Sequence, residues 1–227
     1  MGSARRGGLL LAATALTAAL TGPGTASQPG PRVLFFGDSL FVGTGSSAGP
    51  VEPRTTARLL GWHAVVDAVG GTGFTTGGRH GKPYLSRLQH DGYLRGRFAT
   101  VVVEGGTNDA HHGDLTLVHD RALAVLDLVR AAQPAARIVL VGAFVAHGVP
   151  RRDRYVEVDQ ILAAVAAERG LTYVSQLHYA DLTASGFLAR DHFHPSTAGY
   201  QLMGRDLAAA LRPDVGAEGI EPPTTRL

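Results

Sequence analysis

Five short apolar runs alternate with segments of helical periodicity, and this alternation restricts the fold more than any other feature of the chain. The runs are residues 32–36, 62–69, 100–104, 137–141 and a weaker one at 172–175. Their apolar residues are nearly continuous, which is typical of strands that are buried on both faces. Strands that alternate with helices predict a parallel sheet covered by helices on both sides, with right-handed crossovers.

Helical periodicity is clearest in three segments and weaker in two shorter ones. The longer segments are 114–133, 150–169 and 195–211, and the shorter ones are 55–60 and 84–95. Gly61 and Gly170 directly follow two of these segments, and glycine is the residue that most often ends a helix. The pattern therefore predicts an α/β domain with five parallel strands.

The first 26 residues resemble an export signal. Arg5 and Arg6 form a short basic region, an apolar stretch runs from 9 to 20, and 24–26 are small residues suited to a cleavage site. The apolar stretch is shorter than the ~20 residues that a membrane span requires. We therefore expect a secreted or cell-surface protein with no stable membrane span, and an uncleaved anchor is the alternative.

The remaining residues divide into a single predicted domain and a tail. Residues 27–213 suit one domain with a sizeable core, and 214–227 are rich in Pro, Gly and Thr, so that we expect this tail to be disordered. The chain has no Cys, so the core must hold the fold without disulfides. Its net charge is only +2 and no basic run is present, which argues against nucleic-acid binding.

Small and polar residues follow the predicted strands where parallel sheets collect their ligands. Ser39 follows the first run, Gly73 the second and Asn108 the third, while His194 follows the fifth after a longer loop. Asn108 is the only asparagine of the chain, which indicates a specific need for a side-chain amide. Because the carboxyl ends of parallel strands share one edge of the sheet, we expect these four residues to lie together.

These residue types supply the groups of a serine hydrolase. A serine hydroxyl becomes nucleophilic when a base takes its proton, and histidine suits that role near neutral pH. Asp191 lies three residues before His194, so one turn of chain can bring its carboxylate to the imidazole and fix the tautomer. The N–H groups of Ser39 and Gly73 and the amide of Asn108 can converge on the oxyanion of a tetrahedral intermediate.

Four short blocks, in this order, make the chain resemble the SGNH, or GDSL, hydrolase family over nearly all of 27–213. The blocks are 37–40, 71–75, 106–109 and 191–195. The resemblance implies a flavodoxin-like α/β/α sandwich that hydrolyses carboxylic esters without a metal or cofactor. It also implies that Ser39 is the nucleophile, His194 the base and Asp191 its partner, with Ser39, Gly73 and Asn108 as oxyanion donors.

Other positions compete with these assignments. His192 is an alternative base, but the Asp-x-x-His spacing and the following proline favour His194. Residues 45–49 fit the Gly-x-Ser-x-Gly string of a nucleophile elbow around Ser47, but Pro50 follows and no strand precedes it. The family's glycine block often has an upstream Asn, and Asp67 or Ala68 occupies that region here; neither is assigned a role.

Two further patterns suggest ligands but fit them poorly. Residues 71–77 nearly match a dinucleotide-binding fingerprint, but the last glycine spacing is wrong and no helical pattern begins there. His111 and His112 adjoin the Asn108 loop, but adjacent histidines rarely bind one metal together, and no Cys or Glu cluster accompanies them. A solvated or substrate-facing pair is the preferred interpretation.

The residues therefore predict a secreted serine esterase that acts through an acyl-serine intermediate. The loops after the strands are rich in Gly, His and Arg and contain no long apolar stretch, which favours short acyl groups on a glycan or another small polar carrier. Lipase, lysophospholipase, thioesterase or acyl-transfer activity with the same residues is the alternative. A cell-surface binding module without activity is the alternative of a different class. The oligomeric state is not predicted.

Overall fold

The computed structural model describes residues 30–212, and within this range the chain forms five β-strands and seven α-helices. The strands are β1 (Arg32–Gly37), β2 (His63–Ala68), β3 (Thr100–Glu104), β4 (Arg137–Phe144) and β5 (Thr172–Gln176). The helices are α1 (Ser39–Val42), α2 (Val51–Leu60), α3 (Tyr84–His90), α4 (Thr107–His112), α5 (Val118–Ala132), α6 (Arg152–Glu168) and α7 (Thr197–Leu211). The predicted export signal and the predicted tail lie outside the described residues.

All strand pairs of the sheet are parallel, in the order β2-β1-β3-β4-β5. This is the flavodoxin-like order, in which the chain moves from β1 to one side and then crosses over to β3 on the other. Phe36 is level with Val103 of β3 and with Asp67 of β2. The ends of β1 and β3 therefore flank the point where the direction of winding reverses, and this is where ligands bind in such sheets.

The two faces of the sheet bury separate apolar clusters, because successive strand residues point to opposite sides. On one face Leu34 and Phe36 of β1 pack in a cluster with residues of α3, α5 and α6. On the other face Val33 and Phe35 pack in a cluster with residues of α2 and α7, such as Leu207. The expected three-layer α/β/α arrangement is confirmed.

Element boundaries agree with the sequence predictions where a strong local signal marks them. Gly61 adopts a left-handed conformation (φ 67°) directly after α2, as expected for a residue that ends a helix. The predicted helix 114–133 instead begins with a short 3-10 turn at Leu115–Leu117 before α5. The short helices α1 and α4 were not predicted, since neither is long enough to show helical periodicity.

No helix within residues 30–212 combines the length and the apolar composition needed to cross a membrane.

Candidate active site

Ser39 lies at the first position of α1, directly after the carboxyl end of β1. Asp38 caps this helix, since its Oδ1 accepts a hydrogen bond from the Leu40 N–H at 2.8 Å. Gly43 ends the helix in a left-handed conformation (φ 80°) after a single turn. This tight strand–cap–helix connection fixes the Ser39 side chain, which is only 7% exposed, at the edge of the sheet.

His194 reaches Ser39 from the loop between β5 and α7. Its Nε2 lies 3.0 Å from the Ser39 Oγ, and its Nδ1 lies 2.7 Å from Oδ2 of Asp191. The other oxygen of Asp191 accepts hydrogen bonds from the N–H groups of Phe193 and His194, both at 3.0 Å. The structure thus brings together three side chains in the order that a serine–histidine–aspartate relay requires.

The surroundings of Asp191 favour its ionised form. Partial burial acts to raise the pKa of this carboxyl, but the hydrogen bonds from the His194 ring and from two backbone N–H groups outweigh it and lower the pKa. An ionised Asp191 orients the His194 ring with Nδ1 as the donor, which leaves Nε2 free to accept the Ser39 proton.

His192 does not share this position. It adopts a positive φ of 56° in the turn and lines a separate hollow with His147 and Leu188. The structure therefore places His194, and not its competitor, at the serine hydroxyl.

Asn108 in α4 links three loops at the edge of the sheet. Its Nδ2 donates hydrogen bonds to Oδ2 of Asp38 at 2.9 Å and to the carbonyl oxygen of Thr72 at 3.0 Å. The side chain is half-buried and lines the same cavity as Ser39. The amide thus faces the proposed reaction centre while it holds the cap of the nucleophile helix and the glycine loop in register.

The structure does not bring the N–H of Gly73 to this cavity. That N–H donates to the carbonyl oxygen of Thr76 at 2.8 Å, and Gly73 packs against Asp109 so closely that a methyl group there would overlap its Oδ2. Gly70 and Gly71 line the cavity instead, and Gly71 has a left-handed conformation (φ 78°) that favours glycine. Among the hydrogen bonds of residues 30–212, none uses the N–H of Gly70 or Gly71.

Asp109 explains why the glycine loop takes this path. Its carboxylate accepts hydrogen bonds from the N–H of Phe74 at 3.1 Å and from the N–H and hydroxyl of Thr75, both at 2.7 Å. The bonds turn the backbone after Gly73 towards α4 and away from Ser39. The spacing of glycines in the sequence cannot predict this path of the loop. The path depends on hydrogen bonds between residues that are 34 and 35 positions apart.

Two buried carboxyls, Asp38 and Glu104, lie beneath the nucleophile. The sequence favours a local hydrogen-bonding role over a catalytic one for Asp38, and it assigns no role to Glu104. Burial raises the pKa of Asp38 to about 7. The hydrogen bond from the Leu40 N–H lowers this pKa and offsets the effect of burial only in part, and the nearby charge of Asp109 raises it further. Burial and the neighbouring Asp38 raise the pKa of Glu104 well above its ordinary value. Oε2 of Glu104 accepts the Asp38 N–H at 3.2 Å.

Gly37 makes room for this pair of carboxyls. A methyl group at Gly37 would lie 2.6 Å from Oε2 of Glu104, which is closer than unbonded atoms approach. The signal that sequence reasoning missed was Glu104 itself, a charged residue that ends an otherwise apolar strand. We interpret the pair as structural: Glu104 binds the N–H of Asp38 and so fixes the residue that caps α1.

Asp67, to which the sequence assigned no role, forms a buried ion pair. Its Oδ1 lies 2.7 Å from an amino group of Arg87, and both side chains are nearly inaccessible to solvent. Arg87 also donates to the carbonyl oxygen of Gly37 and to the hydroxyl of Thr72, both at 2.9 Å. This ion pair connects the ends of β1 and β2 to the glycine loop, so its role is to position the site rather than to contact a substrate.

The competing patterns do not assemble a second site in the described residues. Ser47 is exposed, and none of its atoms forms a hydrogen bond to a histidine. Residues 71–77 close on themselves through a bridge between Thr72 and Gly77, without opening a long helix. Among residues 30–212, no group of three or more His, Cys, Asp or Glu side chains has the arrangement of a metal site.

A solvent-open cavity of about 800 Å³ adjoins Ser39 and His194. Its walls are mostly small, polar or basic. The lining residues are Ser39, Thr44, Val69, Gly70, Gly71, Thr76, Gly78, Arg79, His80, Asn108, His111, His112, Phe193 and His194. The adjacent histidines thus face the cavity, as one of the two sequence interpretations expected.

The family model described as GDSL-like lipase/acylhydrolase matches residues 35–202 of the chain. Solved structures with the same fold include an acetylxylan esterase from Geobacillus stearothermophilus, at a TM-score of 0.65 and 19% identity over 80% of this chain and 94% of that one. A family two carbohydrate esterase from Clostridium thermocellum in complex with cellohexaose has a TM-score of 0.61 and 21% identity. The similarity to this esterase covers 79% of the present chain and only 62% of the other. No curated protein is detectably similar in sequence.

Proposed function

Since the chain belongs to the GDSL-like lipase/acylhydrolase family and is a carboxylic ester hydrolase, we propose that it is a secreted serine esterase with Ser39 as its nucleophile. The observation that carries this proposal is the continuous chain of hydrogen bonds from the Ser39 hydroxyl through His194 to Asp191. The 3.0 Å distance is one at which the Ser39 proton can pass to His194, and the 2.7 Å distance lets Asp191 orient the imidazole and stabilise its protonated form.

In the acylation step, the Oγ of Ser39 attacks the ester carbonyl while Nε2 of His194 takes its proton. The imidazolium is stabilised by Asp191 and then gives the proton to the leaving alcohol as the tetrahedral intermediate collapses. A water molecule, deprotonated by the same imidazole, releases the acyl group and restores the serine. Each proton in this sequence moves over a hydrogen bond to Nε2.

The oxyanion of the intermediate needs donors that are already in place. We assign the N–H of Ser39 and the amide of Asn108, as the sequence predicted. In place of Gly73, whose N–H is bonded to Thr76, we assign an N–H of Gly70 or Gly71, since both residues line the cavity and neither N–H forms a hydrogen bond within residues 30–212. Both Nδ2 hydrogens of Asn108 have partners in the protein, so one of them must be shared with the oxyanion.

The residue types that line the cavity, mostly small, polar or basic, support a short acyl group on a carbohydrate or a similar polar carrier. Val69 and Phe193 are its large apolar residues, so no long apolar wall is present among the lining residues to bind a fatty acyl chain. The carbohydrate esterases with the same fold are consistent with this choice, although at 19–21% identity they share the fold alone.

Labelling with a fluorophosphonate probe tests the nucleophile directly. We expect one covalent adduct on Ser39, its loss in Ser39→Ala and its retention in Ser47→Ala, which is the matched control in the exposed loop. An unlabelled but folded protein would support a binding module without activity. An adduct that persists in Ser39→Ala would show that a residue other than Ser39 is the nucleophile.

A substrate panel tests the carrier and the acyl length. We expect kcat/KM to be highest for 4-nitrophenyl acetate in a series of increasing chain length, and we expect acetate release from acetylated xylan to exceed acyl release from lysophospholipid. A maximum at long chains would contradict the short-acyl assignment and favour a lipase-like function. Parallel assays with a thioester and with an acceptor alcohol would separate thioesterase and transferase activity.

Export is a separate part of the proposal. It rests on the basic and apolar segments of residues 1–26, which lie outside the described part of the chain. Expression of the full chain in a bacterial host should place the protein outside the cytoplasm with a new N-terminus near Ser27. A full-length protein retained in the cytoplasm would contradict it.

A further inference from the structure

The cavity beside Ser39 is lined by basic groups and by no acidic ones. Apart from His194, its ionisable lining residues are Arg79, His80, His111 and His112. Within residues 30–212, no Asp or Glu side chain contributes to the lining. A cavity whose ionisable groups share one sign attracts ligands of the opposite sign.

Arg79 is the one lining residue that carries a permanent charge, and within the described range it forms no ion pair or side-chain hydrogen bond. Lys82, three residues later in the same loop, differs in this respect because its Nζ lies 3.4 Å from Oδ1 of Asp91. Arg79 and Lys82 are thus distinguished by their partners. Lys82 is paired with Asp91, whereas Arg79 lines the cavity.

The histidines of α4 extend this basic wall towards the reaction centre. The rings of His111 and His112 lie edge to face with centroids 4.1 Å apart, and the His111 ring also contacts Phe193. Nδ1 of His111 lies 3.0 Å from the hydroxyl of Tyr155, which fixes the ring. Partial burial, together with the nearby His112 and Arg151, lowers the pKa of His111, so this ring is a neutral hydrogen-bonding group near pH 7.

We propose that the natural substrate is an acetylated or similarly acylated carbohydrate that carries a carboxylate, which Arg79 binds in the cavity beside Ser39. This inference rests on the proposed esterase function and specifies its substrate class. A short acyl group leaves most of the cavity for the alcohol portion, so the carboxylate belongs to the sugar. A guanidinium binds a carboxylate through two parallel hydrogen bonds.

A monoanion fits this wall better than a phosphate monoester does. A phosphate group carries close to two negative charges at neutral pH, and it is usually bound by several cationic groups or by a helix N-terminus. Here one permanent charge, on Arg79, is accompanied by His111, a ring with a lowered pKa that serves as a hydrogen-bonding group. The balance of charge therefore points to a uronic acid ester rather than to a phosphorylated sugar.

Two substrates that differ only in the carboxylate test the inference. They are methyl glucuronopyranoside and methyl glucopyranoside, each acetylated at the same hydroxyl group, assayed at low and high salt. We expect wild-type kcat/KM to be about tenfold higher for the acidic ester, mainly through KM, which corresponds to one charge-assisted hydrogen-bonded pair. Added salt should reduce the ratio, because it screens exposed charges.

Arg79→Gln should bring the ratio of the two kcat/KM values close to one, and Arg79→Lys should restore only part of it. Lys82→Gln is the matched control, since it removes the same charge from the same loop outside the cavity, and it should keep the wild-type ratio. Equal values for both esters in the wild type, or an acidic preference that survives Arg79→Gln, would overturn the inference.

Hydrolysis of 4-nitrophenyl acetate and phosphonate labelling of Ser39 distinguish the two levels of the proposal. If both are positive and no charge preference is found, only the substrate class is wrong. If both are negative, the esterase proposal fails and this inference fails with it. A higher rate with a phosphorylated analogue than with the uronate would reject the carboxylate in favour of a phosphate.

Discussion

The two halves of the proposed catalytic centre differ in how the protein holds them. Ser39 and Asn108 lie at the ends of the central strands, above the fully buried Asp38 and Glu104. Asp191 and His194 lie in one turn between β5 and α7, where the Asp191 side chain is 44% exposed and the His194 side chain 17%. The half that contains the nucleophile thus rests on buried groups at the end of the sheet, whereas the half that contains the base lies in a more exposed loop.

The difference extends to the hydrogen bonds of each half. Asp38, Asn108 and Thr72 are joined across 36 to 70 positions of the chain, so that this half depends on the folded sheet. Asp191 is bonded to residues two and three positions away, within its own turn. Substitutions that remove the long-range hydrogen bonds of the buried half should therefore affect both stability and activity. Substitutions in the exposed half, or of the Ser39 hydroxyl that bonds to it, should affect activity alone.

The largest effect is expected for Ser39→Ala, which removes the one atom that both halves share. We predict a fall in kcat of roughly 10⁴- to 10⁶-fold, because the nucleophile and base act as a unit. The Oγ bonds only to His194 in the described structure, so the melting temperature should stay within about 2 °C of the wild type. Initial rates and thermal melts measure the two quantities, with Ser47→Ala as the control.

Asp191→Asn tests whether the exposed half acts in catalysis without supporting the fold. It should lower kcat by roughly 10⁴-fold, because the amide cannot hold the His194 tautomer in the same way as a carboxylate. The free energy of unfolding should change by less than about 1 kcal/mol, since the site is exposed and its bonds are local. A large loss of stability in urea unfolding would contradict the proposed division between the halves.

Asn108→Ala should show the opposite behaviour, with a smaller kinetic effect and a measurable loss of stability. We expect kcat to fall by roughly 10²- to 10³-fold, the usual cost of one oxyanion donor. The buried Oδ2 of Asp38 loses its amide partner, which should lower the free energy of unfolding by about 1–3 kcal/mol. An effect confined to KM would contradict the assignment of Asn108 as an oxyanion donor.

The smallest effect concerns the response of the buried half to pH. Glu52 in α2 lies near Asp38; burial raises its pKa from the ordinary 4.5 to about 8, and the hydrogen bond from Gln176 opposes this only in part. Between these two values the folded protein binds more protons than the unfolded chain, so this group's contribution to stability falls as the pH rises from about 4.5 to about 8. For Asp191, whose pKa is lowered, the contribution is instead lost as the pH falls.

Glu52→Gln should therefore reduce the decline in stability between pH 4.5 and 8. At pH 8 the variant should be more stable than the wild type by on the order of 1–3 kcal/mol. The slope that remains belongs to the other groups with a raised pKa, which include Asp38, Glu104 and Asp109. Urea unfolding at several pH values measures this, and Glu157→Gln, on an exposed face of α6, is the control. A variant with the wild-type slope would show that Glu52 is already ionised in the folded protein.

Much of the fold could be predicted, because its signals are local. Continuous apolar runs marked all five strands, and glycines marked the ends of α2 and α6. The same reasoning placed Ser39, Asn108 and His194 at one edge, since parallel strands end on the same side. It failed for α1 and α4, whose single turns are set by the cap at Asp38 and by the positive φ of Gly106.

The glycine block shows where local spacing stops being sufficient. The sequence offers Gly70, Gly71 and Gly73 within four positions, and any of them lets the backbone approach a ligand closely. Asp109 holds the backbone directly after Gly73 by binding the N–H groups of Phe74 and Thr75, and it is Gly70 and Gly71, not Gly73, that line the cavity.

By itself the sequence determined the layered architecture, the edge of the sheet where chemistry can occur, and the residue types that lie there. These properties follow from hydrophobic periodicity and strand direction, which act over a few residues. Only the tertiary structure decided which glycine N–H groups form no hydrogen bond within residues 30–212, which carboxyls are buried, and which basic groups line the cavity. Those properties depend on desolvation and on contacts between distant parts of the chain, and no local pattern of residues encodes them.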